Sequence, residues 1–142
     1  MRKILLPYDG STSSQHAVRY VADKFRDDRN VQIHVLNVQE LPTLIDPWVD
    51  ATVIQKVQQE LNASGEKLVM EAARTLQESA VPHQLHVHLG LVPDVIAKEA
   101  ESIGCESIVM GTRGRGTFSG FFLGSTAMKV VHLAHVPVTL VK

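Results

Sequence analysis

Apolar positions along the chain fall into two regimes: short continuous runs, and longer segments in which apolar residues recur every three or four positions. Ile4-Leu5-Leu6, inside Lys3 to Tyr8, is a continuous run closed by Pro7, the pattern of a strand covered on both faces. Asp9-Gly10-Ser11-Thr12 then supplies turn and cap chemistry, and Ala17, Val18, Val21, Ala22 and Phe25 form one helical stripe. Val31, Ile33, Val35, Leu36 and Val38 predict a second, mostly apolar strand.

Gln39 to Asp50 breaks the pattern. Pro42, Pro47 and Trp48 mark it as a long irregular connection, with Trp48 expected either to border a ligand or to cap the core. From Ala51 to Ser79, Ile54, Val57, Leu61, Leu68, Ala72 and Leu76 predict a long helix that Gly65 bends or interrupts. Leu85, Val87 and Leu89 alternate with His86 and His88, which predicts an edge strand whose histidines line a polar, solvent-facing side. Val95, Ile96, Ala100 and Ile103 give a third helix, begun near Pro93 and ended by Gly104. Ser107 to Met110 and Val136 to Val141 are the remaining strands, separated by a helix carrying Ala127, Val130, Val131 and Ala134. Pro137 marks the last strand as an edge.

Strands alternating with helices require crossovers, and these are right-handed, so the class is doubly wound α/β with a parallel sheet and helices on both faces. Ligands of such sheets sit beyond the carboxyl ends of the strands, where the winding reverses. Asp9 and the stretch after Met110 both lie at carboxyl ends.

That stretch, Met110 to Thr126, reads M-G-T-R-G-R-G-T-F-S-G-F-F-L-G-S-T. It is far longer than the two to six residues of an ordinary strand-to-helix loop. Glycines let a ligand approach the main chain, and the following helix offers unpaired N–H groups and a partial positive charge, a combination that binds phosphate. Ser125 and Thr126 can cap the helix or bond a phosphate oxygen, and Arg113, Arg115 and Lys129 add positive charge. Two familiar phosphate loops do not match: Gly124-Ser125 lacks the lysine of a P-loop, and Gly114-Arg115-Gly116 is followed by Ser119 where the dinucleotide fingerprint needs glycine.

The spacing of Gly111, Gly114, Gly124 and Ser125 resembles instead the nucleotide-binding branch of the universal stress protein family: G, two residues, G, nine residues, then G-[ST]. The opening I-L-L-P-Y-D-G-S and the later I-V-M-G-T-R-G are similar to the family's first and fourth strands with their turns. The resemblance implies one nucleotide-binding domain over residues 1–142, a five-stranded sheet of order 3-2-1-4-5, and ATP in the crevice between strands one and four. It assigns adenine and ribose to Pro7, Asp9, Val38 and Met110. Phosphates and a divalent ion, Mg2+ or Mn2+, fall to Gly111, Gly114, Gly124, Ser125 and Thr126. It further implies a regulatory stress-response role and a homodimer formed through Val136 to Val141.

Composition narrows the alternatives. The 142 residues are 44% hydrophobic and 20% charged with net charge −1, values of a globular protein without the basic footprint of a nucleic-acid binder. Apolar runs are too short for a membrane span and the start M-R-K-I-L-L-P-Y-D lacks a signal peptide's core, so a cytoplasmic location is expected. Cys105 is alone and expected to be an inert, partly buried thiol. His83, His86 and His88 have no Cys or second histidine cluster at ligand spacing, and His132 with His135 suits a helix C-terminus, so no metal held by the protein itself is expected. Hydrolysis needs a base, and Asp9 is the sole nearby carboxylate, better suited to ribose or magnesium; efficient catalysis is not indicated. A slow ATP hydrolase of the adenine-nucleotide α-hydrolase type, a nucleotide-independent dimeric interaction protein and a flavodoxin-like FMN protein remain the alternatives.

Overall fold

The computed structural model describes residues 1–42, 46–113 and 123–142. Five strands, β1 (Arg2–Pro7), β2 (Val31–Gln39), β3 (His83–Leu89), β4 (Ser107–Gly111) and β5 (Val138–Val141), alternate with four helices, α1 (Thr12–Lys24), α2 (Ala51–Glu78), α3 (Val92–Ile103) and α4 (Ser125–Leu133). All pairings are parallel, and the order is β3-β2-β1-β4-β5. The expected class and strand order are both observed. β3 and β5 are the edges.

The continuous apolar runs are explained by the two faces they supply. Along β1, Ile4 and Leu6 enter a core with Val18 and Val21 of α1 and Val69 and Leu76 of α2, while Leu5 enters a second core with Ile96 of α3 and Val130 of α4. β2 and β4 divide likewise, Val35 and Val109 to the first core and Leu36 and Met110 to the second. Successive side chains point to opposite faces of a strand, so a strand between two helical layers must be apolar at nearly every position.

Local signals set the helix limits. Ser11 caps α1 by accepting the Ser14 N–H, Asp50 caps α2 by accepting the Thr52 N–H, and α3 ends at Gly104. One sequence expectation is corrected and one of the two alternatives for Trp48 is closed. Gly65 does not interrupt α2, which runs unbroken from Ala51 to Glu78; a Cβ there would lie 2.5 Å from Val87 Cγ1 and 2.9 Å from Asn37 Oδ1. The glycine lets the helix backbone press onto β2 and β3. Trp48 does not cap the core: it is 91% exposed.

Candidate functional site

The winding reverses between β1 and β4. Beyond their carboxyl ends opens a cleft of ≈ 200 Å³ whose walls include Pro7, Tyr8 and Asp9 after β1, Asn37 and Val38 of β2, and Met110, Gly111 and Arg113 at the end of β4. Its remaining walls come from the starts of helices: Ser11 and Ser14 of the α1 cap and first turns, Val92 and Ile96 of α3, Thr126 and Ala127 of α4.

Hydrogen bonds hold these segments in register. Asp9 Oδ1 accepts the Ser11 N–H at 2.9 Å, folding the turn after β1 back on itself. One carboxylate oxygen is thereby committed to the turn. Ser11 Oγ and Ser13 Oγ both donate to the Arg113 carbonyl, at 3.1 and 2.6 Å, so the first turn of α1 clamps the chain leaving β4. The Gly124 N–H donates to the Thr112 carbonyl at 2.7 Å, bringing the start of α4 back beside the end of β4. Asn37, 3% exposed, donates through Nδ2 to the Tyr8 carbonyl at 2.8 Å and ties β2 to the chain leaving β1.

Ser125 does not cap α4. The cap is Gly124, without a side-chain hydrogen bond, and Ser125 is the first helical residue. With no side-chain acceptor at its start among the described residues, this helix leaves its leading N–H groups for solvent or for an anion. Thr126 and Ala127 of that first turn reach the cleft wall.

Of the residues assigned from sequence, Pro7, Asp9, Val38, Met110, Gly111 and Thr126 line this one cleft. Gly124 and Ser125 stand at the start of α4 behind Thr126. Gly114 lies outside the described residues. Sequence reasoning missed Asn37 and Ile96 in the cleft wall. Asn37 carried a usable signal, a polar residue inside an apolar strand. Ile96 did not, since only tertiary packing turns one residue of an apolar helical stripe toward a cleft.

The universal stress protein family model matches residues 1–142. This chain belongs to that family. A universal stress protein of Thermus aquaticus is 31% identical over 144 residues, covering 99% of this chain and 98% of its own. Among solved structures, a universal stress protein of Lactobacillus plantarum superposes with a TM-score of 0.85 at 20% identity, over 99% of this chain and 97% of its own. A family member from Arabidopsis thaliana with AMP bound has a TM-score of 0.73 at 20% identity, over 100% and 92%. A universal stress protein in complex with cAMP has a TM-score of 0.72 at 19% identity, over 99% and 97%. One from Archaeoglobus fulgidus in complex with dAMP has a TM-score of 0.62 at 22% identity, over 100% and 98%. At these identities the structural likenesses establish the fold.

A second polar cluster lies under the sheet edge. The histidines of β3 were expected to face solvent, and this is corrected in part: His86 is half-buried against His34, while the His88 side chain is 43% exposed. On their side of β3, His88 Nε2 is 3.3 Å from Glu99 Oε1 of α3, and His86 Nε2 is 2.9 Å from His34 Nδ1 of β2 with the rings stacked at 5.1 Å. Burial holds both His34 and His86 below the usual histidine range; at His34 the neighbouring His86 and Lys3 add to the effect and Glu99 opposes it, and at His86 Glu99 opposes while His88 adds. Nearby Cys105 is buried as expected, and burial pushes its thiol up to about 11.

No described helix is long and apolar enough to cross a membrane.

Proposed function

We propose that this family member binds an adenine nucleotide in the cleft between β1 and β4, and that the bound nucleotide sets its conformation or choice of partner. What supports the reading is one observation: six residues assigned from scattered sequence positions, Pro7, Asp9, Val38, Met110, Gly111 and Thr126, converge on a single cleft. Apolar walls from Val38, Ile96 and Met110 suit the face of a base, the second Asp9 carboxylate oxygen suits ribose hydroxyls, and the uncapped start of α4 suits a phosphate. The similar proteins with AMP, cAMP and dAMP support the same ligand class.

ATP is the ligand we assign, through Gly124, Ser125, Thr126 and the family-matched Gly114. Mg2+ or Mn2+ would enter on the phosphates, with Asp9 the one carboxylate in the described cleft wall. We assign Asp9 a binding role, one oxygen accepting the Ser11 N–H and the other facing ribose or the divalent ion, with turnover slow at most.

The test is calorimetric titration of nucleotide-stripped protein with ATP and Mg2+, and separately with AMP. Asp9→Ala should weaken binding about 10- to 150-fold, the value of a charge-assisted hydrogen bond. Gly114→Val should obstruct phosphate approach. A parent that binds neither nucleotide, or variants that bind as well as the parent, would refute the reading.

A further inference from the structure

Edge strand β3 carries a half-buried polar face. His86 and His88 are two apart on one strand and therefore share a face, and α3 lays Glu99 against that face. One ligand atom from each of His86, His88 and Glu99 lies within 4.8 Å of the other two. A side chain from a third element completes the group: His34 of β2, 4% exposed, is bonded to His86, while its Nε2 has no hydrogen-bond partner among the described residues.

We propose that His86, His88 and Glu99 form a binding site for a divalent transition-metal ion of the zinc class, separate from the nucleotide cleft. Two imidazoles and a carboxylate are a borderline donor set that favours zinc over magnesium or calcium, which prefer oxygen alone. Three protein ligands leave a fourth tetrahedral position for water. Bonds of 2.0–2.1 Å place tetrahedral ligands about 3.3 Å apart, and His88 Nε2 and Glu99 Oε1 already stand at 3.3 Å. The third ligand atom has at most roughly 1.5 Å to close, within the reach of side-chain torsions.

Supporting interactions are in place. A ligating histidine ordinarily holds a hydrogen bond at its other ring nitrogen, which orients the ring and fixes its tautomer. With His86 ligating through Nδ1, the bond between its Nε2 and His34 does this, making His34 a positioning residue. Entry is open from the sheet edge, where the His88 side chain is 43% exposed and Glu99 20%. A plain ion pair between His88 and Glu99 leaves the convergence of His86 and the buried His34 without a purpose. The ion would clip β3 to α3 one turn from Ile96, a residue of the cleft wall.

The test uses the full chain after EDTA treatment, titrated calorimetrically with zinc chloride without nucleotide. One Zn2+ per chain is expected, with affinity reduced at least tenfold by His88→Ala and, separately, by Glu99→Gln. Both positions are partly exposed, so the variants should fold, and His16, His83, His132 and His135 remain in each as internal controls. Co2+ in place of Zn2+ should give visible d–d absorption in the parent that is lost in His88→Ala and shifted in wavelength in His34→Gln. No saturable Zn2+ binding by the parent would overturn the proposal. So would affinity unchanged in both variants, which would place the ion elsewhere. An unshifted cobalt band in His34→Gln would remove His34 from the site.

Discussion

Gly111 and Ser13 meet where β4 ends against the start of α1: a Cβ on Gly111 would lie 2.7 Å from the Ser13 carbonyl carbon and 2.7 Å from the Ser14 nitrogen. Both neighbours are helix backbone, clamped by Ser11 and Ser13 to the Arg113 carbonyl. The first glycine of the phosphate-type spacing is therefore required by packing, whatever it does for a ligand. Gly111→Ala should destabilise the protein by about 1–3 kcal/mol, as other overpacked sites do. Thermal or urea denaturation reads the effect, and an unchanged midpoint would mean that α1 yields at little expense.

Gly65 makes a similar contact with a more adaptable neighbour. Gly65→Ala forces its new Cβ against Val87 Cγ1 and should lower the denaturation midpoint. Val87→Ala in the same chain should restore part of the loss, because Asn37 Oδ1 at 2.9 Å remains in the way. A double-mutant cycle measures the coupling, and strict additivity would contradict the assigned contact.

Asn37 holds the turn after β1 from within the sheet, donating to the Tyr8 carbonyl and accepting from Gln39 Nε2. Asn37→Leu removes the buried hydrogen bond to the Tyr8 carbonyl and should destabilise by about 1–3 kcal/mol. Under the proposed function it should also weaken ATP binding. Calorimetry on a variant shown to be folded by circular dichroism separates the two effects.

Cys105 should resist iodoacetamide at pH 8 in the native state and react readily in urea, because only the thiolate is nucleophilic and burial holds the folded group near 11. Its folded value stands above the 9.0 of a free thiol, so its contribution to stability is complete below that value and is lost as pH rises from there through about 11. Rapid labelling of the native protein would contradict the assigned burial.

The open edge of β5 bears on assembly. Ile108 N–H bonds to the Pro137 carbonyl and Thr112 N–H to the Val141 carbonyl, so alternate peptide groups of this strand face β4 and those between face outward. We predict a homodimer through Val136 to Val141. In an isologous pair Thr139, which is exposed, would approach its own copy, and Thr139→Asp should shift the species seen by light scattering from dimer toward monomer. A monomeric parent at tens of micromolar would end this reading.

How much of this was legible in the chain depends on the range over which each feature is written. Element type came from local period. Ile4-Leu5-Leu6, closed by Pro7, reads as a strand between two apolar layers, and the stripe from Ala17 to Phe25 as a one-sided helix. The turn at Asp9, the spacing through Gly124 and Ser125, and Pro137 at a sheet edge are equally local, and with the family spacing they led to a cleft that the described structure contains.

Tertiary structure alone decided what depends on register across parallel crossovers. His88 meets Glu99 and His86 meets His34 because parallel pairing sets β3 beside β2 and α3 returns across that face; a strand read by itself shows two histidines on one side and not what covers them. The same cause turned Gly65 from an expected break into a close contact with Val87, and gave Gly111 a steric reason beside its chemical one. Periodicity fixes which face of an element is buried. Which side chains then meet at the buried face is set by the rise and stagger of neighbouring elements, quantities carried by no single segment of the sequence.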